Sequence, residues 1–457
     1  MRTATTTAVT DQPGGAVATL IRMLLLGLTL LAFTALVVPA WSGPLGDAAS
    51  VLLALFVPPA VLRARRATRV LFSVLALAVA GVSLHIGTLA PVWQGLHNAM
   101  LLGAFLCVLQ LLRTVTHAGP AIGEVRSRLA RLKNRQAGAG FAVGAFGLGC
   151  FLSFGAHAVL APLLASDADE RRRRDAALAS IRGISFAAFW SPFFVGVAFV
   201  THRMSDVPTA TVIALGLACA AAALAGDLAL SGTGPRGLVR ILHSLLPLLP
   251  VSAAIAALFA AIIAVTGMSA MGAVVVGVPL VAAALIALRG IRQAPAILRT
   301  SVAGIVYGSD ELLLVVGANV FAAVLTGLPG FVAAVTPLLQ GLSAFPLLLA
   351  AIGIMLAAGA AGFHPAISAA VLLGVFDSLP GAVDRLALAQ ALIIGWSLAV
   401  TISPVGVTVM VAGQMFAVPY PRLLLSRNLT GALAVGVLSA AGLALLHMVR
   451  SGALLLP

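Results

Sequence analysis

Residues 346–415 form one long apolar segment interrupted twice, by AGFHPAIS at 361–368 and by TISPVGVT at 401–408. The first interruption holds Gly362, His364, Pro365 and Ser368, and the second holds Thr401, Ser403, Pro404, Gly406 and Thr408. Inside a bilayer a proline deletes one backbone N–H and clashes with the carbonyl four residues earlier. Backbone groups freed at that depth are tolerated only where they face protein or a water-filled cavity. Two such breaks, with His364 39 residues before Ser403, therefore point to a site rather than to a plain helical bundle.

Working outward, the first half of the chain carries a counterpart. Ser153-Phe154-Gly155-Ala156-His157 interrupts one apolar run, and Trp190-Ser191-Pro192-Phe193 interrupts the next. The two Ser-Pro pairs lie 212 positions apart and the two histidines 207. Paired interrupted segments at matching places in two halves are the sequence mark of a membrane carrier's binding site.

Composition sets the class. Of the 457 residues, 61% are hydrophobic and 9% charged, against about 25% charged in soluble proteins. Runs of about 20 apolar residues predict an all-α polytopic membrane protein. The net charge of +14 is almost all arginine, gathered in short loops. That pattern sets orientation in the membrane and excludes nucleic acid as its explanation. Cys107, Cys150 and Cys219 fall in apolar runs and read as packing residues, with no metal-ligand spacing around them. No P-loop, HExxH or GxSxG context is present, so the reading is not an enzyme and calls for no cofactor beyond a coupling Na+ or H+.

Arginine placement then fixes the predicted course. Residues 1–21 read as a disordered cytoplasmic tail, and 22–40 as a retained first helix despite a signal-like core. Further spans are expected near 48–63, 70–88 and 98–113, then a basic amphipathic stretch over 119–136 lying in the cytoplasmic interface. The run 139–165 is flanked by arginine clusters on both sides, which predicts a re-entrant hairpin turning at Ser153–His157. A broken span at 177–201 and spans near 208–231, 243–265, 270–288 and 309–328 follow, with 289–308 as a cytoplasmic loop. A second hairpin at 347–378, a broken span at 386–415 and a last span at 429–448 complete the chain. The total is about 11 transmembrane helices plus two hairpins, in an inverted-topology repeat. The N-terminus is cytoplasmic and the C-terminus outside. Repeat 1 covers 98–231 and repeat 2 covers 309–457, with 22–97 and 232–308 outside the repeats.

This layout resembles the ion-transporter superfamily of secondary carriers, which includes divalent-anion/sodium symporters and arsenite permeases. The resemblance covers residues 98–231 and 309–448 and rests on the two hairpins and the Ser191-Pro192 and Ser403-Pro404 loops. In the divalent-anion branch each hairpin tip carries Ser-Asn-Thr, which this chain lacks. The resemblance implies a transport domain of hairpins and broken spans that slides as an elevator against a scaffold built from 22–97 and 232–308, in a homodimer.

Half-helix N-termini and freed backbone N–H groups attract anions, while unwound carbonyls bind cations. The expected site comprises Ser153, Gly155, His157, Ser191 and Pro192 from one half. Gly362, His364, Ser368, Thr401, Ser403, Gly406 and Thr408 come from the other. The interrupted stretches carry no acidic residue, which favours a small anionic substrate. Asp310 and Glu311, at the start of a span, are the coupling candidates. Asp227 and His243 near span ends, and Trp190 and Trp396 within spans, read as structural residues. The expected function is secondary active transport of a small organic acid or oxyanion across the cell membrane. A cation/proton antiporter is the alternative within that class; a membrane scaffold or lipid-modifying enzyme is the alternative outside it.

Overall fold

The computed structural model describes residues 15–117, 120–131, 137–164, 167–328 and 330–452. Among these every regular element is helical. In chain order the first are α1 (Ala16–Val37), α2 (Ser42–Arg63), α3 (Arg66–Ile86), α4 (Ala90–His117), α5 (Pro120–Ala130), α6 (Ala137–Leu152) and α7 (Ala156–Leu160). Then come α8 (Glu170–Ala187), α9 (Val195–Arg203), α10 (Thr209–Leu230), α11 (Pro235–Ser244), α12 (Leu249–Thr266), α13 (Ala270–Arg289), α14 (Ala294–Ile305) and α15 (Ser309–Thr326). The last are α16 (Phe331–Leu339), α17 (Ala344–Ala360), α18 (Pro365–Asp377), α19 (Arg385–Ile402), α20 (Val407–Met415), α21 (Pro421–Leu424) and α22 (Arg427–Arg450).

Eleven helical runs among the described residues are long and apolar enough to cross a membrane. The chain is a multi-pass membrane protein. Burial grades from the centre outward: nearly every residue of α19 is enclosed, whereas α3 and α12 face outward along most of their length. Their apolar side chains, such as Leu84 at 83% and Val265 at 85% exposure, belong against lipid rather than water.

One of the eleven runs, 138–163, is not straight. After α6 the chain turns through Ser153, whose φ of +51° is left-handed, and comes back along itself. A Cβ on Gly144 would lie 3.1 Å from Leu160, an approach that an uninterrupted helix would forbid over 16 residues, about 24 Å of rise. The second turn is built similarly. α17 ends through Gly362 at φ +88°, with Phe363 N–H donating to the Ala358 carbonyl at 2.9 Å, and α18 starts at Pro365. Both arms pack on a broken helix. Gly183 of α8 sits against Ala142 and Ala145 of α6, and Gly395 of α19 sits against Ile352 and Met355 of α17.

The second halves of the broken helices keep one spacing. Val195 and Arg203 bound α9, and Val407 and Met415, 212 positions on, bound α20. Ser185 and Ser397, also 212 apart, meet in the core. Ser397 Oγ donates to the Ser185 carbonyl at 2.6 Å, and Ser185 Oγ to the Ser397 carbonyl at 3.4 Å. The two units are further tied at opposite ends. Arg385 pairs with Asp206 and Asp377, each at 2.9 Å, and Arg422 pairs with Glu170. Between them Arg182 reaches Asp227 at 2.7 Å and Asn428 at 2.8 Å.

Several expected boundaries move. Helix α1 starts at Ala16, inside the expected tail, because Ala18 and Ile21 are buried; residues 1–14 lie outside the described residues. Arg171–Arg174 are not a loop but the first turns of α8, capped by Asp169, which accepts from Arg172 N–H at 2.7 Å. The expected cytoplasmic loop 289–308 contains helix α14, whose Ile297, Ser301 and Ile305 are buried. The amphipathic stretch forms α5 with Val125 and Leu129 turned inward, and its end at 132–136 lies outside the described residues. Finally, α4 runs on to His117 rather than stopping near Arg113. That carries one arginine into the wall of the site.

Candidate functional site

A cavity of about 170 Å³ lies where both turns and both helix breaks converge. From the first half it is lined by Ser153, Phe154 and the Phe193–Gly196 segment; from the second, by Gly362, His364, Pro365, Thr401, Ser403 and the Val405–Thr408 segment. Three helices begin on this wall, α9 at Val195, α18 at Pro365 and α20 at Val407. No side chain caps α9 or α20, so their first-turn N–H groups and positive dipole ends are available to an anion. The start of α18 is capped by its own flank: His364 Nδ1 accepts from Ala366 N–H at 3.2 Å. A neutral ring bonded this way carries its proton on Nε2. The ring is set edge-on to Trp396, centroids 5.7 Å apart.

Seven of the twelve residues expected at the site line this cavity: Ser153, Gly362, His364, Thr401, Ser403, Gly406 and Thr408. Both coupling candidates, Asp310 and Glu311, line it as well. The other five are placed elsewhere. His157 is fully buried behind the first turn, its Nδ1 2.8 Å from Ser180 Oγ and its ring edge-on to Phe416. Ser191, also fully buried, donates to the Cys150 carbonyl at 2.8 Å and fastens the first break to the end of α6. Gly155 and Pro192 continue those two turns off the cavity wall. Ser368 Oγ donates to the Pro365 carbonyl at 3.1 Å, inside α18.

The structure adds residues that the sequence reading passed over. Arg113 of α4 enters the wall with its guanidinium carbon 4.9 Å from the Phe154 ring centroid. A cation held over a ring gains about 0.5–2 kcal/mol. Glu311 of α15, of opposite charge, lines the same cavity. At the rim Arg65 lies 3.8 Å from Asp310, and Thr68 Oγ donates to the same carboxylate at 3.1 Å. Ser185 and Ser397 also reach the wall. Gln390 Nε2 donates at 3.0 Å to the Phe189 carbonyl, a group left over where α8 ends. Two had a signal. Arg113 follows the apolar Leu111-Leu112 and stands apart from the clustered loop arginines, and the 212-residue register run along both broken spans would have paired Ser185 with Ser397.

Chemically, the cavity offers hydroxyls that donate or accept, backbone N–H groups at helix starts, one imidazole, two arginines and two carboxylates. Among the described residues no group of three or more His, Cys, Asp or Glu side chains could hold a metal ion. Compared with known proteins, the chain matches no family model, and no curated protein sequence is recognisably similar to it.

Proposed function

We propose that the chain is a secondary active transporter for a small anion, an organic acid or oxyanion, coupled to Na+ or H+. The observation that carries the reading is the single cavity into which both turns and both helix breaks open. Polar, non-helical backbone at the centre of an apolar bundle is expensive unless it faces such a space. Convergent helix starts with Arg113 supply the positive potential that an anion requires. In this reading α6–α7 and α17–α18 are re-entrant hairpins of an inverted repeat. The common 212-residue spacing of α9 and α20, and the reciprocal Ser185–Ser397 bonds, support that arrangement. The layout remains similar to the ion-transporter superfamily, whose members imply an elevator motion of the hairpin domain and a homodimer. Arg65, 67% exposed at the rim, belongs to an arginine cluster that marks the cytoplasmic face. The cavity therefore opens inward.

The test is uptake by the purified protein in liposomes. Substrate should accumulate only under an ion gradient, and Ser403→Trp should abolish accumulation while the thermal unfolding midpoint stays close to that of the parent. Normal uptake by that variant would refute the site.

A second reading, a cation/proton antiporter, is favoured by one observation: Asp310 and Glu311 reach the cavity. It requires Na+ or K+ to drive proton movement with no anionic substrate present, and Glu311→Gln to abolish that movement. Cation-driven proton flux that is absent from liposomes of the parent protein rejects it.

A further inference from the structure

We infer that the cavity binds a small organic monocarboxylate together with one proton, the carboxylate pairing with Arg113 and the proton residing on Glu311. This deepens the carrier reading and rests on it.

The inference begins with the charges on the wall. Arg65, Arg113, Asp310, Glu311 and His364 are the charged or titratable side chains lining the cavity. Arg65 and Asp310 answer each other at the rim, and the Asp310 carboxylate also accepts from Thr68 Oγ at 3.1 Å and from the Arg65 backbone N–H at 3.3 Å. The Nδ1 of His364 is engaged as the cap of α18. That leaves Arg113 and Glu311, on different helices but on the wall of one cavity, as the opposite charges an incoming anion would disturb.

Arg113 is held by the Phe154 ring beneath it, and Glu311 is the opposite charge that shares the cavity wall with it. A guanidinium does not give up its proton in proteins, so it is the fixed charge of the two. A carboxylate arriving at Arg113 replaces Glu311 as the counter-ion. Glu311 would then stand as an uncompensated anion in a walled cavity, an unfavourable state. Taking one proton from water removes that cost. The carboxylate of Glu311 becomes a carboxylic acid, no other bond changes, and the cavity's net charge is the same before and after. One negative charge enters with one proton, and the pair crosses without net charge.

Size and lining narrow the class. A dianion would need a second cation, and the other arginine of the lining, Arg65, faces Asp310 at the rim. Phe154, Phe193 and Trp396 supply apolar wall for a carbon body, and Ser153, Ser403 and Thr408 supply hydroxyls around it. A volume of about 170 Å³ admits one small carboxylate.

The experiment uses benzoate, with succinate and sulfate as comparison anions, titrated calorimetrically into the full-length protein in detergent. Running each titration in two buffers of different ionisation heat counts the protons taken up. Benzoate should bind, with one proton per benzoate, and should exclude the other two anions. Arg113→Gln should weaken binding about a hundredfold. Glu311→Gln should still bind benzoate but take up no proton, a readout that survives if Arg113→Gln fails to fold. Proton-free binding by the parent, or unchanged proton uptake by Glu311→Gln, overturns the inference. So does tighter binding of succinate or sulfate, blocked by Ser403→Trp; in that case the carrier reading stands. Absence of gradient-driven uptake of all three anions in liposomes defeats the carrier reading itself.

Discussion

The two interrupted units resemble each other in sequence and divide the work between them. In the second, His364, Ser403, Gly406 and Thr408 all face the cavity. In the first, the matching polar side chains are consumed by the fold: His157 meets Ser180, and Ser191 ties the break to the Cys150 carbonyl. What reaches the cavity from that side is the turn itself, Ser153 and Phe154, the end of α8 with Ser185, and the start of α9. A repeated motif therefore preserves backbone geometry more faithfully than it preserves the role of a side chain. The first unit is a brace and the second is the chemical face.

The sharpest way to break this comparison is at the glycines where the arms pack. A Cβ on Gly183 would collide with the Ala142 carbonyl, which is backbone and cannot swing away. At Gly395 the nearest atom is the Met355 sulfur at 2.9 Å, on a flexible side chain. Gly183→Ala should cost about 3 kcal/mol or more and lower the unfolding midpoint clearly; Gly395→Ala should cost about 1 kcal/mol. Equal costs would mean the two arms are equally rigid.

The histidines come next. His157→Ala should destabilise by about 2–3 kcal/mol, because it empties a buried site and strands the Ser180 hydroxyl. Once folded, that protein should transport with an unchanged KM. His364→Ala should cost only about 1 kcal/mol, the loss of a helix cap, while transport falls at least tenfold. The reverse pattern would exchange the roles assigned to the two halves.

The smallest expected effect lies at the contact between the units. The Arg385 hydrogen bonds hold the Asp206 carboxyl below the usual carboxylate range. A lowered folded-state value gives stability that is present above the ordinary carboxylate range and lost as pH falls through the lowered one. Asp206→Asn should thus cost about 0.5 kcal/mol at neutral pH, because the pair is exposed. The difference from the parent should vanish in acid. A difference that persists there would assign the effect to something other than charge.

Much of the architecture was legible because lipid imposes a one-dimensional code: long apolar runs, arginine at their ends, and prolines where a helix stops. The breaks at Ser153, Ser191, Gly362 and Ser403 all fall at helix ends in the structure. What stayed hidden was the direction in which each polar side chain points and which distant helix answers it. Hydropathy ended one span at Arg113, whereas packing extends α4 by another turn and lays that arginine over Phe154. The arginines at 171–174 read as a loop because their charge outweighs their good helix propensity and the Asp169 cap. Glu311 and Arg113, nearly 200 residues apart, have no sequence feature that announces their sharing one cavity.

The reciprocal hydrogen bonds between Ser185 and Ser397 have a consequence for motion. Interchanging the two halves turns this clasp into itself. Under the proposed elevator motion both broken spans would travel together, and the clasp would ride intact inside the moving body, keeping its two halves in register as the whole slides.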